Sequence, residues 1–302
     1  MGIEEQFRRR PEVGPRVAVK VAGAIIFGVV LLGTLIWGEL PFAIGMSLAA
    51  AVGSVELFSL FNTKSEAVPT AAVVGIAGAA AYVIMAHYRP LTSFGYITAL
   101  LIFVSFIWYM LVLRHVKPTK AVALTVLAPL LTGFCLSHLV MLRDSVDGIC
   151  GRGSNSGMWM VLFLIALIWV YDVLAWAVGR KVGEHKIAPS ISPNKSWEGA
   201  LAGTVGVLVA SVLFRLIIKS VVGRTEYAWF SVWVALVIAV IVVMLGPLGD
   251  FAESVMKRDY GVKDTGRLIP GHGGIMDRFD STLFTAPAVF YYLSLIVFKA
   301  KI

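Results

Sequence analysis

The sequence predicts an all-α, polytopic membrane protein of about nine transmembrane helices with its N-terminus in the cytoplasm. Three observations carry that reading. The 302-residue chain is 58% hydrophobic and only 15% charged, with a mean hydropathy of +0.84, whereas an ordinary globular chain is roughly 45–50% apolar and about 25% charged. Its apolar residues gather into runs of about 20, the length a helix needs to cross the hydrocarbon of a bilayer. Its Lys and Arg fall unevenly on the two sides that those runs define.

Taken in order, the runs lie near residues 17–37, 41–61, 70–87, 94–113, 121–142, 158–179, 199–218, 228–249 and 282–298. Gly and Pro punctuate several of them, as membrane helices tolerate. The third is short and rich in Ala and Gly. A basic stretch precedes the first run, as in a signal peptide, but the run is longer than a cleaved apolar region and reads as a retained helix. With the N-terminus inside, 18 of the 26 Lys and Arg fall on the inner side and 8 on the outer. Shifting the count by one span would scramble that bias.

The net charge is +8 and the isoelectric point about 9.5. The basic residues sit in short loops between apolar runs, which matches topology and anionic headgroups and argues against nucleic acid as a partner. Cys135 and Cys150 are the two cysteines. They make neither a metal-ligand spacing nor a disulfide framework. Trp37, Trp108, Trp159, Trp169 and Trp176 lie near span ends or within spans, where anchoring and packing are their ordinary work.

One membrane domain, 1–302, is the simplest organisation, with N-terminal helices over 1–157 and a C-terminal catalytic region over 158–302. Two inner loops are long, 180–198 and 250–281, and both are dense in Gly, Pro, Lys, Asp and His. Long loops in compact domains are usually functional or disordered. In the second, the chain leaves the membrane at Asp250 and returns near Asp277 and Asp280. Carboxylates brought together there could hold Mg²⁺, a hard ion that shares oxygen ligands with phosphates. Lys257, Arg258, Lys263 and Arg267 lie between them, and the turn from Pro270 to Gly274, with His272, Gly273 and Gly274, could cup an anion.

This combination resembles the signature of the phosphatidate cytidylyltransferase family, also called CDP-diacylglycerol synthases. The matching residues are Ser254, Lys257-Arg258, Lys263-Asp264, Pro270 to Gly274, Asp277-Arg278 and Asp280, spread over 27 residues. A second stretch, Ser192-Pro193-Asn194-Lys195-Ser196-Trp197-Glu198-Gly199, resembles another motif of the family, with Ser196 where Thr is usual. Asp172 lies inside the sixth run. An acid at that depth marks a functional site by default. The resemblance places Asp172, Ser192, Lys195 and Glu198 at the nucleotide and metal site.

The resemblance implies transfer of CMP from CTP to phosphatidic acid, giving CDP-diacylglycerol and pyrophosphate. It implies Mg²⁺ on Asp250 and Asp277, K⁺ beside it, Lys257 and Arg258 in catalysis, and a homodimer among membrane lipids. It further implies a bacterial inner or plasma membrane, with the active site facing the cytoplasm. Ser254, Lys263, Asp264, His272, Gly273, Gly274, Arg278 and Asp280 are then substrate-binding residues. Two other functions remain open: a CTP-dependent polyprenol or phytol kinase, and a cation or proton-coupled transporter, to which the intramembrane acids Asp172 and Glu56 are suited.

Overall fold

The computed structural model describes residues 14–63, 70–88, 90–112, 118–150, 155–222, 229–262, 265–266 and 273–299. Helices α1 (Gly14–Trp37), α2 (Glu39–Phe61), α3 (Ala72–Tyr88) and α4 (Pro90–Leu111) follow the first four apolar runs. Helices α5 (Pro118–Pro129) and α6 (Cys135–Cys150) are joined through a π-helical turn, Leu130–Phe134, into one rod. Then come α7 (Ser156–Val182), strands β1 (Lys186–Ala188) and β2 (Ser192–Ser196), and helices α8 (Trp197–Val222), α9 (Val232–Asp259) and α10 (Met276–Tyr291). Among the described residues seven helices are long and apolar enough to cross a membrane, and Ile25–Trp37 and Ala72–Tyr88 are shorter apolar helices.

Local signals account for several boundaries. Ser231 caps α9 by accepting from the Val234 N–H at 3.2 Å. Arg180 and Lys181 occupy the last turn of α7, where cations suit the helix dipole. The π turn follows Pro129, which lacks an N–H to continue the ladder. It presents Thr132 Oγ1 to Ser54 Oγ at 2.7 Å, a polar tie across the bundle to α2.

Helix α6 is central and packs against α2, α3, α7 and α10. Around it lie the fully buried side chains of Phe42, Leu57, Tyr82, Leu139, Phe163 and Leu164. The outward faces are equally apolar. Tyr96, Phe103 and Met110 on α4, and Leu201, Val205 and Val209 on α8, are all exposed. A surface this apolar is at rest only in lipid.

The structure revises both long loops. The loop expected over 250–281 is helical through Asp259 at one end and from Met276 at the other. Hydropathy reports where a helix leaves hydrocarbon, not where it stops. The polar end of α9 keeps its helical pattern, with Glu253 and Lys257 paired four residues apart at 3.4 Å. The loop expected over 180–198 is largely the antiparallel pair β1–β2, with Lys186 opposite Ser196 and Ala188 opposite Ser192. The all-α class therefore carries one small hairpin.

Candidate active site

Helix periodicity assembles the site. Asp250, Glu253, Ser254 and Lys257 stand three, four and seven residues apart, on one face of α9. Asp277 and Asp280 stand three apart in the first turn and a half of α10. The two helices touch at Gly249, where an added Cβ would strike the Asp280 carbonyl. Glycine is required by that approach, which sets Asp250 and Asp280 side by side. Gly249→Val is expected to force α9 and α10 apart and to cost about 1–3 kcal/mol by overpacking. A lower thermal midpoint of the detergent-solubilised protein, with reduced activity, would report it.

Each α9 and α10 acid has a distinct environment. Asp250 pairs with Lys195 of the hairpin at 2.5 Å and accepts from the Ser254 hydroxyl at 3.4 Å. The Lys195 ammonium also lies 4.1 Å from the centre of the Phe251 ring, a cation–π contact. Asp277 Oδ1 accepts from Lys257 at 2.6 Å. Its Oδ2 accepts from the Gly274 N–H at 2.7 Å and from the Thr265 N–H and hydroxyl at 3.3 and 3.0 Å. Asp280 Oδ1 accepts from the Ser281 N–H at 2.5 Å. Glu253 is 1% exposed, with its Oε2 3.4 Å from the Lys257 ammonium. Lys257, Asp280 and Asp277 lie within its electrostatic reach.

Helix α7 and the hairpin complete the enclosure. Asp172 and Asp250, with Ser192, Asn194 and Lys195, line a cavity of about 300 Å³, at the lower end of ligand-pocket sizes. Tyr171, Trp176 and Phe251 give it aromatic walls. Trp176 thus lines the cavity as well as lying near a span end, and Arg180 stacks over its ring at 5.5 Å. Asp172 is coupled electrostatically to Asp280, Asp250, Lys195 and Arg278. The acids and bases therefore form one charge network.

Most residues expected at the site converge. Asp172, Ser192, Lys195, Asp250, Ser254, Lys257, Gly274, Asp277 and Asp280 gather as described, and Arg278 is exposed on α10. Gly273 takes φ 80°, a turn conformation that glycine adopts readily. Arg258 holds the hairpin, its Nε donating to the Ile191 carbonyl at 3.3 Å and its Nη1 to the Val262 carbonyl at 3.3 Å. Glu198 is not among the cavity-lining residues. Its Oε1 meets His185 Nδ1 at 2.6 Å and braces the base of the hairpin. Lys263, Asp264 and His272 lie outside the described residues.

Three contributors were not assigned to the site from the sequence. Glu253 carried no motif of its own, though its i, i+4 relation to Lys257 was there to be read. Thr265 anchors Asp277 from the loop. Glu56, 5% exposed on α2, accepts from the Ile275 and Met276 N–H groups at 2.9 and 3.0 Å and so caps α10. No local signal pairs residues more than 200 positions apart.

The donor set fits a hard cation. Asp172, Asp250, Asp277 and Asp280 supply carboxylate oxygen within one charge network, and Glu253 is buried beside them against Lys257.

Comparison with known proteins adds to this geometry. A family model described as the cytidylyltransferase family matches residues 18–296. A phosphatidate cytidylyltransferase of Bacillus subtilis (strain 168) is 31% identical over 284 residues, covering 93% of this chain and 97% of its own. One from Staphylococcus saprophyticus is 40% identical over 133 residues, 44% of this chain and 48% of its own. The uncharacterized protein YnbB of Escherichia coli (strain K12) is 34% identical over 168 residues, 54% of this chain and 51% of its own.

Proposed function

The chain belongs to the cytidylyltransferase family, and from that premise we propose that it transfers CMP from CTP to phosphatidic acid, giving CDP-diacylglycerol and pyrophosphate. The observation that carries the reading is the single network of Asp172, Asp250, Asp280, Lys195 and Lys257 at one end of a membrane bundle.

A lipid phosphate oxygen attacks the α-phosphorus of CTP. The bond from that phosphorus to the α–β bridging oxygen breaks, and pyrophosphate leaves. Both reactants are anions, so the protein must offset their repulsion. Lys195 and Lys257, held by Asp250 and Asp277, present ammonium groups that incoming phosphates compete for. Positive charge fixed where negative charge develops is a large source of acceleration. The attacking phosphate monoester is already ionised near neutral pH, so no side chain need remove a proton. Positioning and charge then dominate.

Mg²⁺, with K⁺ beside it, would be held by Asp250, Asp277 and Asp280, with Glu253 buried behind them. Bound there, a divalent ion would supply Lewis-acid polarisation of the α-phosphate and positive charge for the departing pyrophosphate. Arg258 keeps the hairpin over the cavity and so positions Lys195. An apolar groove of about 500 Å³ runs along α1 and α2 to Ile275 and Phe279, the latter between Asp277 and Asp280 in sequence. It suits the acyl chains of a lipid whose headgroup reaches the acids.

The excess of Lys and Arg on this side of the bundle supports a cytoplasmic active site in a bacterial inner membrane. Glu56 weighs against an ion pathway, because its carboxylate is committed to the N–H groups that start α10. Detergent-purified protein supplied with CTP, phosphatidic acid and Mg²⁺ is expected to release one pyrophosphate per lipid-linked CMP. Release of CDP with a phosphorylated lipid alcohol would replace this reading with a lipid kinase.

A further inference from the structure

At the opposite end of the bundle, three helices bring together ligands of another kind. Glu39 opens α2, His87 lies in the last turn of α3, and Asp144 projects from α6. One ligand atom from each lies within 4.8 Å of the others. His87 Nδ1 and Asp144 Oδ2 are 2.7 Å apart. The three border a cavity of about 540 Å³ that Tyr88, Ser145 and Gly148 also line. Glu39 and Glu56 are separated by 17 residues of α2, or about 25 Å at the helical rise, so this cavity is remote from the acids of α9 and α10.

A hydrogen bond tying α3 to α6 would need only His87 and one oxygen of Asp144. Two features exceed that need. Asp144 Oδ1 is buried with no hydrogen-bond partner, a state that costs free energy. Glu39 is drawn to within electrostatic reach of Asp144, although the two repel. Buried Arg143, 2% exposed, acts on Glu39, Asp144 and Asp147, so three acids face one guanidinium. An ion bridging the carboxylates would turn repulsion into attraction and use the idle oxygen.

We propose that Glu39, His87 and Asp144 form a binding site for a divalent transition ion of the Zn²⁺ class. One imidazole with two carboxylates suits Zn²⁺ better than Mg²⁺, which prefers oxygen alone and keeps its water. Three protein ligands leave the fourth position of a tetrahedral ion open to water. The Tyr88 and Ser145 side of the cavity leaves room for that water.

The test uses full-length protein in detergent, stripped with a chelator and titrated with Zn²⁺ against a chromophoric competitor. One equivalent is expected to bind, and His87→Gln and Asp144→Asn are each expected to weaken it at least tenfold. Asp280→Asn, in the other cluster, is expected to retain it. Co²⁺ titration of the unaltered protein supplies a readout that needs no variant. A four-coordinate imidazole–carboxylate site gives intense visible bands, and an all-oxygen octahedral site gives faint ones. No equivalent bound at micromolar Zn²⁺, faint Co²⁺ bands, or an equivalent that survives both substitutions would each overturn the proposal.

Discussion

Replacing Asp277 with Ala is expected to lower CMP transfer by about 10²–10³-fold or more, the loss seen when a group that fixes transition-state charge is removed. The expectation rests on how much Asp277 holds. One oxygen takes the Lys257 ammonium, and the other gathers Gly274 and Thr265. Truncation would release the loop and leave Lys257 to Glu253 alone. Asp277→Asn separates the two roles. Its amide oxygen can still accept from the loop, but it no longer balances Lys257. It should recover thermal stability without recovering rate. Initial rates of pyrophosphate release, beside thermal unfolding, check both. Activity that survives Asp277→Ala would sink the assignment of this cluster as the active site.

Replacing Glu56 with Leu is expected to destabilise the protein by about 2–4 kcal/mol and to abolish most activity. The change leaves two backbone donors, the half-buried Ile275 N–H and the buried Met276 N–H, without their acceptor, and each such loss costs about 1–3 kcal/mol when buried. The first turn of α10 would fray, and that turn carries Asp277 and Asp280. Gly274 and Gly266 crowd the same carboxylate so closely that an added Cβ on either would press into it, so the site cannot simply refill. Glu56→Gln keeps one acceptor oxygen and should fall between Leu and the natural residue. The measurements are thermal midpoint and turnover on the same preparations. A Leu variant with unchanged midpoint would show that α10 starts without its cap.

Much of the active region was legible because its motifs are local. The acids and lysine of α9 lie within eight residues, and helical periodicity alone aligns them. Asp172 stood out because an acid inside an apolar run is rare. The Ser192–Glu198 stretch was marked by its residues, but not its fold. Nothing in its hydropathy separated a coiled loop from the hairpin that lays Lys195 on Asp250. Glu198 was read with its motif neighbours, yet tertiary packing turned it to His185. Glu56 was visible as an intramembrane acid without a role, because its partners arrive from the far end of the chain.

The apolar runs are a one-dimensional property. Bilayer thickness converts each into a helix, so composition and spacing alone determined a polytopic helical protein with its charges biased to one side. Which acid meets which base is a three-dimensional property. It depends on α9 and α10 closing at Gly249, on α2 reaching α10 through Glu56, and on the hairpin folding over the cavity. Those contacts join residues 31 to 220 positions apart, and only packing of the finished bundle brings them within reach of one another.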